Sequence, residues 1–339
     1  MFSWEAVYLT VTAIRGVSMH KAIAIGVGVL FASLSTQASA LNTRTWISGH
    51  GIDQTGCGPI ASPCRTLQYA HDATNAGGEI DVLDPAGYGA LVITKAINVV
   101  NEGVGVAGAL SAAGGNAITI SAGAADNVFL RGLSVEGAGT GANGIVFNSG
   151  GNLTITNCTV MNFSGTTNDA GNGIKLAHSA GTPKIVIAGT TIANNPHIGV
   201  LYLPSGTGAG KISVDHSTFS NNGYGFNMYT AYSSATGGFA GSISNSFLTG
   251  NDEAMQIISG SSSQLQLSVD NISAFENSAG ISTNGPNTVI ILARSSIQAE
   301  FIAGMIPHAG TTIYTYNNNY MGLNGITLNG ATLNTLTPY

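Results

Sequence analysis

Charge is scarce in this chain: only 8% of its 339 residues are Asp, Glu, Lys or Arg. So little charge suits a disordered chain only if apolar residues are few, and a membrane protein only if they are continuous. Neither holds. Apolar residues make up 44%, and beyond the N-terminal segment Gly, Asn, Ser and Thr interrupt them every few positions, as short strands with tight turns require. The net charge of −6 and the lack of any basic stripe exclude nucleic acid and an anionic membrane surface as partners. Helical periodicity is also missing, except over residues 66–75, where Leu67, Ala70 and Ala73 share one face.

Cysteine is nearly absent too, with three in the whole chain. Cys57 and Cys64 flank a short loop containing Pro59 and Pro63 and read as a small disulfide. Cys158 is left over. Thr190, Ser217 and Ser246 hold its place elsewhere in the chain, so it reads as a small packed thiol. The oxidising compartment that a disulfide needs is announced at the N-terminus. Met19-His20-Lys21 gives a basic start, Ala22 to Leu34 an apolar run, and Ala38-Ser39-Ala40 a small-residue cleavage site. Residues 1–40 are therefore expected to be an export signal cut after Ala40, with Met1 or Met19 as its start. The mature chain is expected to be secreted or periplasmic, with the cell surface as an alternative, and to have no membrane span.

What the sequence has in abundance is a repeat. A Gly-aliphatic step recurs at Gly144-Ile145, Gly173-Ile174, Gly199-Val200, Gly225-Phe226, Gly280-Ile281, Gly304-Met305 and Gly325-Ile326, with Ala117-Ile118 and Ala254-Met255 filling the two remaining places. The aliphatic members lie between 21 and 29 residues apart. That spacing indicates a solenoid of stacked coils. A second column, Val99, Leu130, Ile155, Ile187, Val214, Ile243, Val269, Leu292 and Thr315, has an apolar residue two places earlier in eight of its nine coils, the period of a half-buried strand. A third is expected at Val104, Val135, Val160, Ile192, Phe219, Leu248, Ala274, Ile297 and Tyr320.

Two residues after the second column stand Asn101, Gly132, Asn157, Gly189, His216, Asn245, Asn271, Arg294 and Asn317. Eight of these nine are types that tolerate positive φ, so a sharp left-handed corner is expected there. The Asn side chains are expected to bond along their column. Three short strands per turn make an all-β, single-stranded parallel β-helix of about nine coils. The right-handed form is expected because each coil exceeds the roughly 18-residue turn of the left-handed type. The expected boundaries are a cap and first strands over 41–96, the coil over 97–326 and a tail over 327–339. The 66–75 helix should plug the N-terminal end.

The run Leu67-Gln68-Tyr69-Ala70, Gly77-Gly78-Glu79-Ile80-Asp81-Val82, Asp84-Pro85-Ala86-Gly87-Tyr88 and Ile93-Thr94-Lys95-Ala96-Ile97 resembles the N-terminal cap and first coil of the pectate-lyase-like superfamily of secreted right-handed β-helix proteins. The resemblance implies the fold. For activity it implies little, because the scaffold carries lyases, hydrolases, esterases, adhesins and inert surface proteins alike.

Polyuronate lyases of this superfamily hold clustered Asp residues around calcium beside a cationic base, and its hydrolases hold several close Asp residues with a His. Neither motif is present. Asp215 and Asp270 are the weak catalytic candidates. Both should face outward, about 9.6 Å apart with Ser244 between them, at the wide edge of the separation for an inverting glycosidase. His216 and Arg294 stand at neighbouring corners. Lys175 reads as a lone solvated cation, His71-Asp72 as the polar side of the helix, and His178, His197 and His308 as loop residues without a second ligand. Asn251, Asp252 and Glu253 offer too few oxygens for calcium.

Tyr229 and Tyr232 are the weak substrate-binding candidates, at the edge of an apolar strip with Leu203 and Ile258 that could stack sugar rings. The expectation is an exported monomer that meets polysaccharide as a binding or structural element, with no cofactor and no metal. The alternatives are a lyase or hydrolase of unrecognised subtype acting near Asp215 and Asp270, or an adhesin-like rod.

Overall fold

A computed structural model describes residues 41–260, 263–308, 310–328 and 333–337. The expected export signal over 1–40 lies outside the described residues. Three sheets, all parallel, run the length of the coil: one of twelve strands and two of ten. Each turn of chain adds one strand to the first sheet, then the second, then the third. In one turn these are Gly210–Asp215, Thr218–Ser220 and Tyr224–Tyr229.

The first sheet follows the sequence column in exact register. Val99 pairs with Leu130, Leu130 with Ile155, and so on through Val214, Ile243, Val269 and Leu292 to Thr315. All nine are buried, so aliphatic side chains stack on aliphatic side chains through the interior. The third sheet aligns Ile118, Ile145, Ile174, Val200, Phe226, Met255, Ile281 and Met305. At its last rung the expected thread slips. Leu328, not Ile326, pairs with Met305, and Ile326 pairs with Ala303 and is half exposed.

The second sheet corrects two other placements. Ala109 takes the place expected of Val104, and Met321 that expected of Tyr320. Val104 and Tyr320 are exposed. A wider first loop at Asn101 and an extra residue before Met321 shift the register, and a one-residue slip turns a side chain to the other face.

The recurrent glycine has a steric cause. A Cβ on Gly144 would stand 2.3 Å from the carbonyl oxygen of Gly173, and one on Gly280 2.2 Å from that of Gly304. It would also enter the interior, 2.5 Å from Val160 Cγ1 at Gly144. Glycine and the following aliphatic residue thus both face inward. The residue before the glycine lies on the outer face of the sheet, where Asn143, Asn172 and Ile198 are covered and Tyr224 and Glu253 are half-buried.

The first corner has positive φ at eight of its nine positions, Arg294 (48°) included. Asn101 is the exception. It is buried, and it holds its loop by accepting from the Gly103 and Val104 amides and donating to Gly105 and Gly132 carbonyls. Helix α1 spans Leu67–Ala73 with Thr66 as its N-cap, accepting from the Tyr69 amide. It ends two residues before the expected Asn75, because strand Thr74–Val82 begins there. Stacking extends beyond the 97–326 interval at both ends: Asn42–Ile47 and Thr74–Val82 open the first sheet, and Leu333–Thr335 closes it.

Candidate functional site

The outer face of the third sheet carries a polar cluster beside a cavity. Two outward rows cross neighbouring coils there. One runs Ile198, Tyr224, Glu253; the other runs Lys175, Leu201, Asn227, Gln256, Ser282. His197, Tyr224, Asn227, Tyr229 and Gln256 line a cavity of about 160 Å³ between them. Asn227 Nδ2 donates to Gln256 Oε1 (2.8 Å), and Gln256 Nε2 donates to Glu253 Oε2 (3.3 Å). Asn227 Oδ1 and Glu253 Oε1 are buried and have no partner. Each such orphan costs about 1–3 kcal/mol, and a hydroxyl donor from a ligand would satisfy it.

Burial sets the ionisation of this cluster. It pushes the Glu253 carboxyl up to about 7, against the opposing effect of hydrogen bonds from Ser282 and Gln256. It also lowers the pKa of His197, so the ring is neutral. Asn172 gives its amide hydrogens to Asn143 Oδ1, which leaves its Oδ1 to accept from His197 Nδ1 (3.0 Å). The His197 proton is therefore on Nδ1, and Nε2 carries a free lone pair. His197 meets Tyr224 edge-on, with ring centroids 6.5 Å apart. A carboxyl raised to about 7 can donate as well as accept hydrogen bonds to hydroxyl groups, and the neutral imidazole two coils away can accept them.

The aromatic candidates flank this cluster. Tyr229 pairs in register with Ile258 and is half-buried, while Tyr232 is 58% exposed. Their rings lie 5.0 Å apart, tilted by 40°. The C-terminal strand pairs in the first sheet with Thr311–Thr315. The Tyr232 ring therefore remains open to solvent.

Asp215 and Asp270 do stand two rungs apart with Ser244 between them, but on the first sheet, and both are held ionised. Asp215 accepts from Asn245 (2.8 Å), His216 (2.6 Å) and Ser244 (2.7 Å), which bring its carboxyl down to about 2. Asp270 takes both its oxygens to the Arg294 guanidinium, which lowers it as well. Both are thereby held toward the ionised form, whereas glycoside cleavage needs one protonated acid.

Several other positions differ from expectation. Lys175 is not a solvated cation: its side chain is only 14% exposed and pairs with Asp169 at 2.8 Å. His71 is buried rather than on a polar face, accepting from the Thr94 amide at Nε2 (3.3 Å). His178 is a core residue, edge-on to Phe147 and Tyr202, and donates to the Ala209 carbonyl (2.6 Å). Asn251 faces inward in a buried ladder of amides, where it cannot join Asp252 at a cation. Cys57 and Cys64 are joined by a disulfide. Cys158 is buried, and desolvation pushes its thiol up to about 11.

Nothing in the sequence marked Glu253 and His197 as residues of one face. The residue before each Gly-aliphatic or Ala-aliphatic step forms the outer row that holds Tyr224 and Glu253, and His197 lies one place before that row.

A model of the right handed beta helix region matches residues 79–238. The match agrees with the parallel β-helix described above. This β-helix resembles the pectate lyase Pel9A with a TM-score of 0.56 at 12% identity, over 87% of this chain and 80% of that one. It also resembles the pectin methylesterase PemA from Erwinia chrysanthemi, with a TM-score of 0.48 at 11% identity, over 86% and 92%. At these identities the likeness concerns the fold. No curated protein matches the β-helix. No helix among the described residues is long and apolar enough to cross a membrane.

Proposed function

We propose that this is an exported, monomeric carbohydrate-binding β-helix that takes a glycan along the outer face of its third sheet. The observation that carries this reading is the open Tyr229–Tyr232 pair beside unpartnered acceptors. An exposed aromatic face gives a sugar ring an apolar surface to stack on, and Asn227, Gln256 and Glu253 give its hydroxyls acceptors and donors. The disulfide is consistent with export. The structural neighbour of higher TM-score is by name a pectate lyase. That supports the fold, while the carbohydrate reading rests on the site.

The test is affinity electrophoresis against neutral and acidic polysaccharides. Tyr232→Ala is expected to weaken retardation about tenfold, the loss of roughly one stacking contact, without lowering thermal stability. Unchanged retardation in the variant would sink this reading, and no retardation by any glycan would favour the surface rod.

A second reading, polysaccharide cleavage, is favoured by one observation: the Glu253 carboxyl, raised to about 7, bonds Gln256, which lines the same cavity as the neutral His197. It moves the expected catalytic face from Asp215 and Asp270 to the third sheet. Reducing ends or unsaturated products released by the protein and lost in Glu253→Gln would establish it.

A further inference from the structure

The first sheet carries a different feature on its own outer face. Eight cationic side chains lie among the described residues, and six have a partner. Arg44 pairs with Glu79 and Asp81, Arg131 with Glu102, Lys175 with Asp169 and Arg294 with Asp270. Arg65 and Lys95 donate to the carbonyls of Gly87 and Thr74. The two left are Lys184 and Lys211. They are directly opposite each other in register on adjacent strands, about 4.8 Å apart at the backbone.

Like charges opposite one another on a sheet destabilise it. The acid on the Lys211 strand does not relieve them, because Asp215 is held by His216, Ser244 and Asn245. In a chain this poor in cations, the fold gains nothing from the pair.

The lysines stand where the surface is hollow. They line a groove of about 360 Å³, where Ala240 follows Lys211 in the outward row and leaves room before Gln266. Phe239 and Gln264 also border it. On the other side the same lysines border a second groove of about 330 Å³. The hollow is thus continued on both sides of a two-cation centre, with an amide two coils beyond Lys211.

We infer that Lys184 and Lys211 form an anion-binding site for an acidic glycan, whose carboxylate or sulfate ester sits between the two ammonium groups while its hydroxyls bond the Gln266 amide. One anionic oxygen group bridging two lysines removes their repulsion and makes charge-assisted hydrogen bonds. A nucleic acid or an anionic bilayer presents dense charge over a broad area, and two cations on a chain of net charge −6 do not match that. This site is separate from the third-sheet cavity and does not depend on it.

The test measures binding of polygalacturonate, of a heparin-type sulfated glycan, and of neutral dextran, at low and raised salt. Wild-type protein is expected to bind at least one anionic glycan and not dextran through this site, with affinity falling as salt rises. Which anionic arm binds assigns carboxylate or sulfate. Lys184→Gln with Lys211→Gln is expected to lose about tenfold or more of that affinity, while melting at or above the wild-type temperature because the repulsion is gone. Tyr232→Ala should leave this binding intact, so the two sites fail separately. Equal binding by the double variant, binding of neither anionic glycan, or equal capture of DNA would overturn the inference.

Discussion

The most consequential single residues are the asparagines nobody sees from outside. Asn195, Asn222, Asn251 and Asn277 are buried at the corner between the second and third sheets, and each amide bonds the next member at 2.9–3.1 Å until Glu300 ends the run. Each amide also closes on a backbone carbonyl, Asn222 on that of Ile192 (3.1 Å). Removing one member leaves buried donors and acceptors on both neighbours. Asn222→Ala is expected to cost about 2–4 kcal/mol in chemical denaturation, and Asn271→Ala at the exposed first corner less than about 1 kcal/mol.

Glu253 and Glu300 set a pH dependence of opposite sign to that of an ordinary carboxylate. Burial raises both to about 7, above their unfolded value. The folded state therefore binds more protons between those limits, and stability falls as pH rises from about 4.5 through 7. The melting temperature should be higher at pH 5 than at pH 8, and Glu253→Gln should reduce the difference. Asp215 acts the other way, losing its contribution only as pH falls toward 2.

At the scale of the element, each turn is held by two left-handed corners. The first is written in residue types: Gly, Asn and His predominate. The second also has positive φ, but at Glu276, Ala299 and Leu323 as well as at Asn162, Asn194 and Asn221. Left-handed backbone costs an ordinary residue about 1–2 kcal/mol. Here the adjoining ladder residue holds the corner, so the sequence need not advertise it. The Gly-aliphatic step is the other recurring device. Gly144→Ala is expected to destabilise by about 1–3 kcal/mol, since its Cβ would meet both the Gly173 carbonyl and Val160. Ala117 and Ala254 occupy the same column, so the cost depends on how far the next coil can yield. Equilibrium unfolding of the variant measures it.

Over the whole molecule, each coil touches chiefly its two neighbours, so stability is a sum along one axis. The two ends are built differently. The first coils carry the disulfide, α1 and the buried Leu67, Ala70 and Tyr88. The last coils expose Leu323, Ile326, Phe301 and Tyr320. Hydrogen exchange is therefore expected to be slowest over the strands from Asn127 to Asp270 and fastest beyond Thr315. Equal protection from end to end would mean a single cooperative unit instead. The three faces also differ in use: the third sheet gathers aromatic and hydrogen-bonding groups, and the first gathers ionic ones.

Period and alternation, both properties of the chain alone, determined the solenoid, its inward columns and its first corner. Steric contact between like residues in successive coils requires those patterns wherever the fold exists. Where a loop changes length the register shifts, and Val104, Tyr320 and Ile326 could not be placed from spacing. Tertiary structure alone decided which polar groups share a face and which are desolvated. Glu253 and His197 lie 56 positions apart, and only stacking sets them on one side of the coil, two turns from each other. The burial that tunes them, and the solitude of Lys184 and Lys211, are properties of neighbours contributed by other coils.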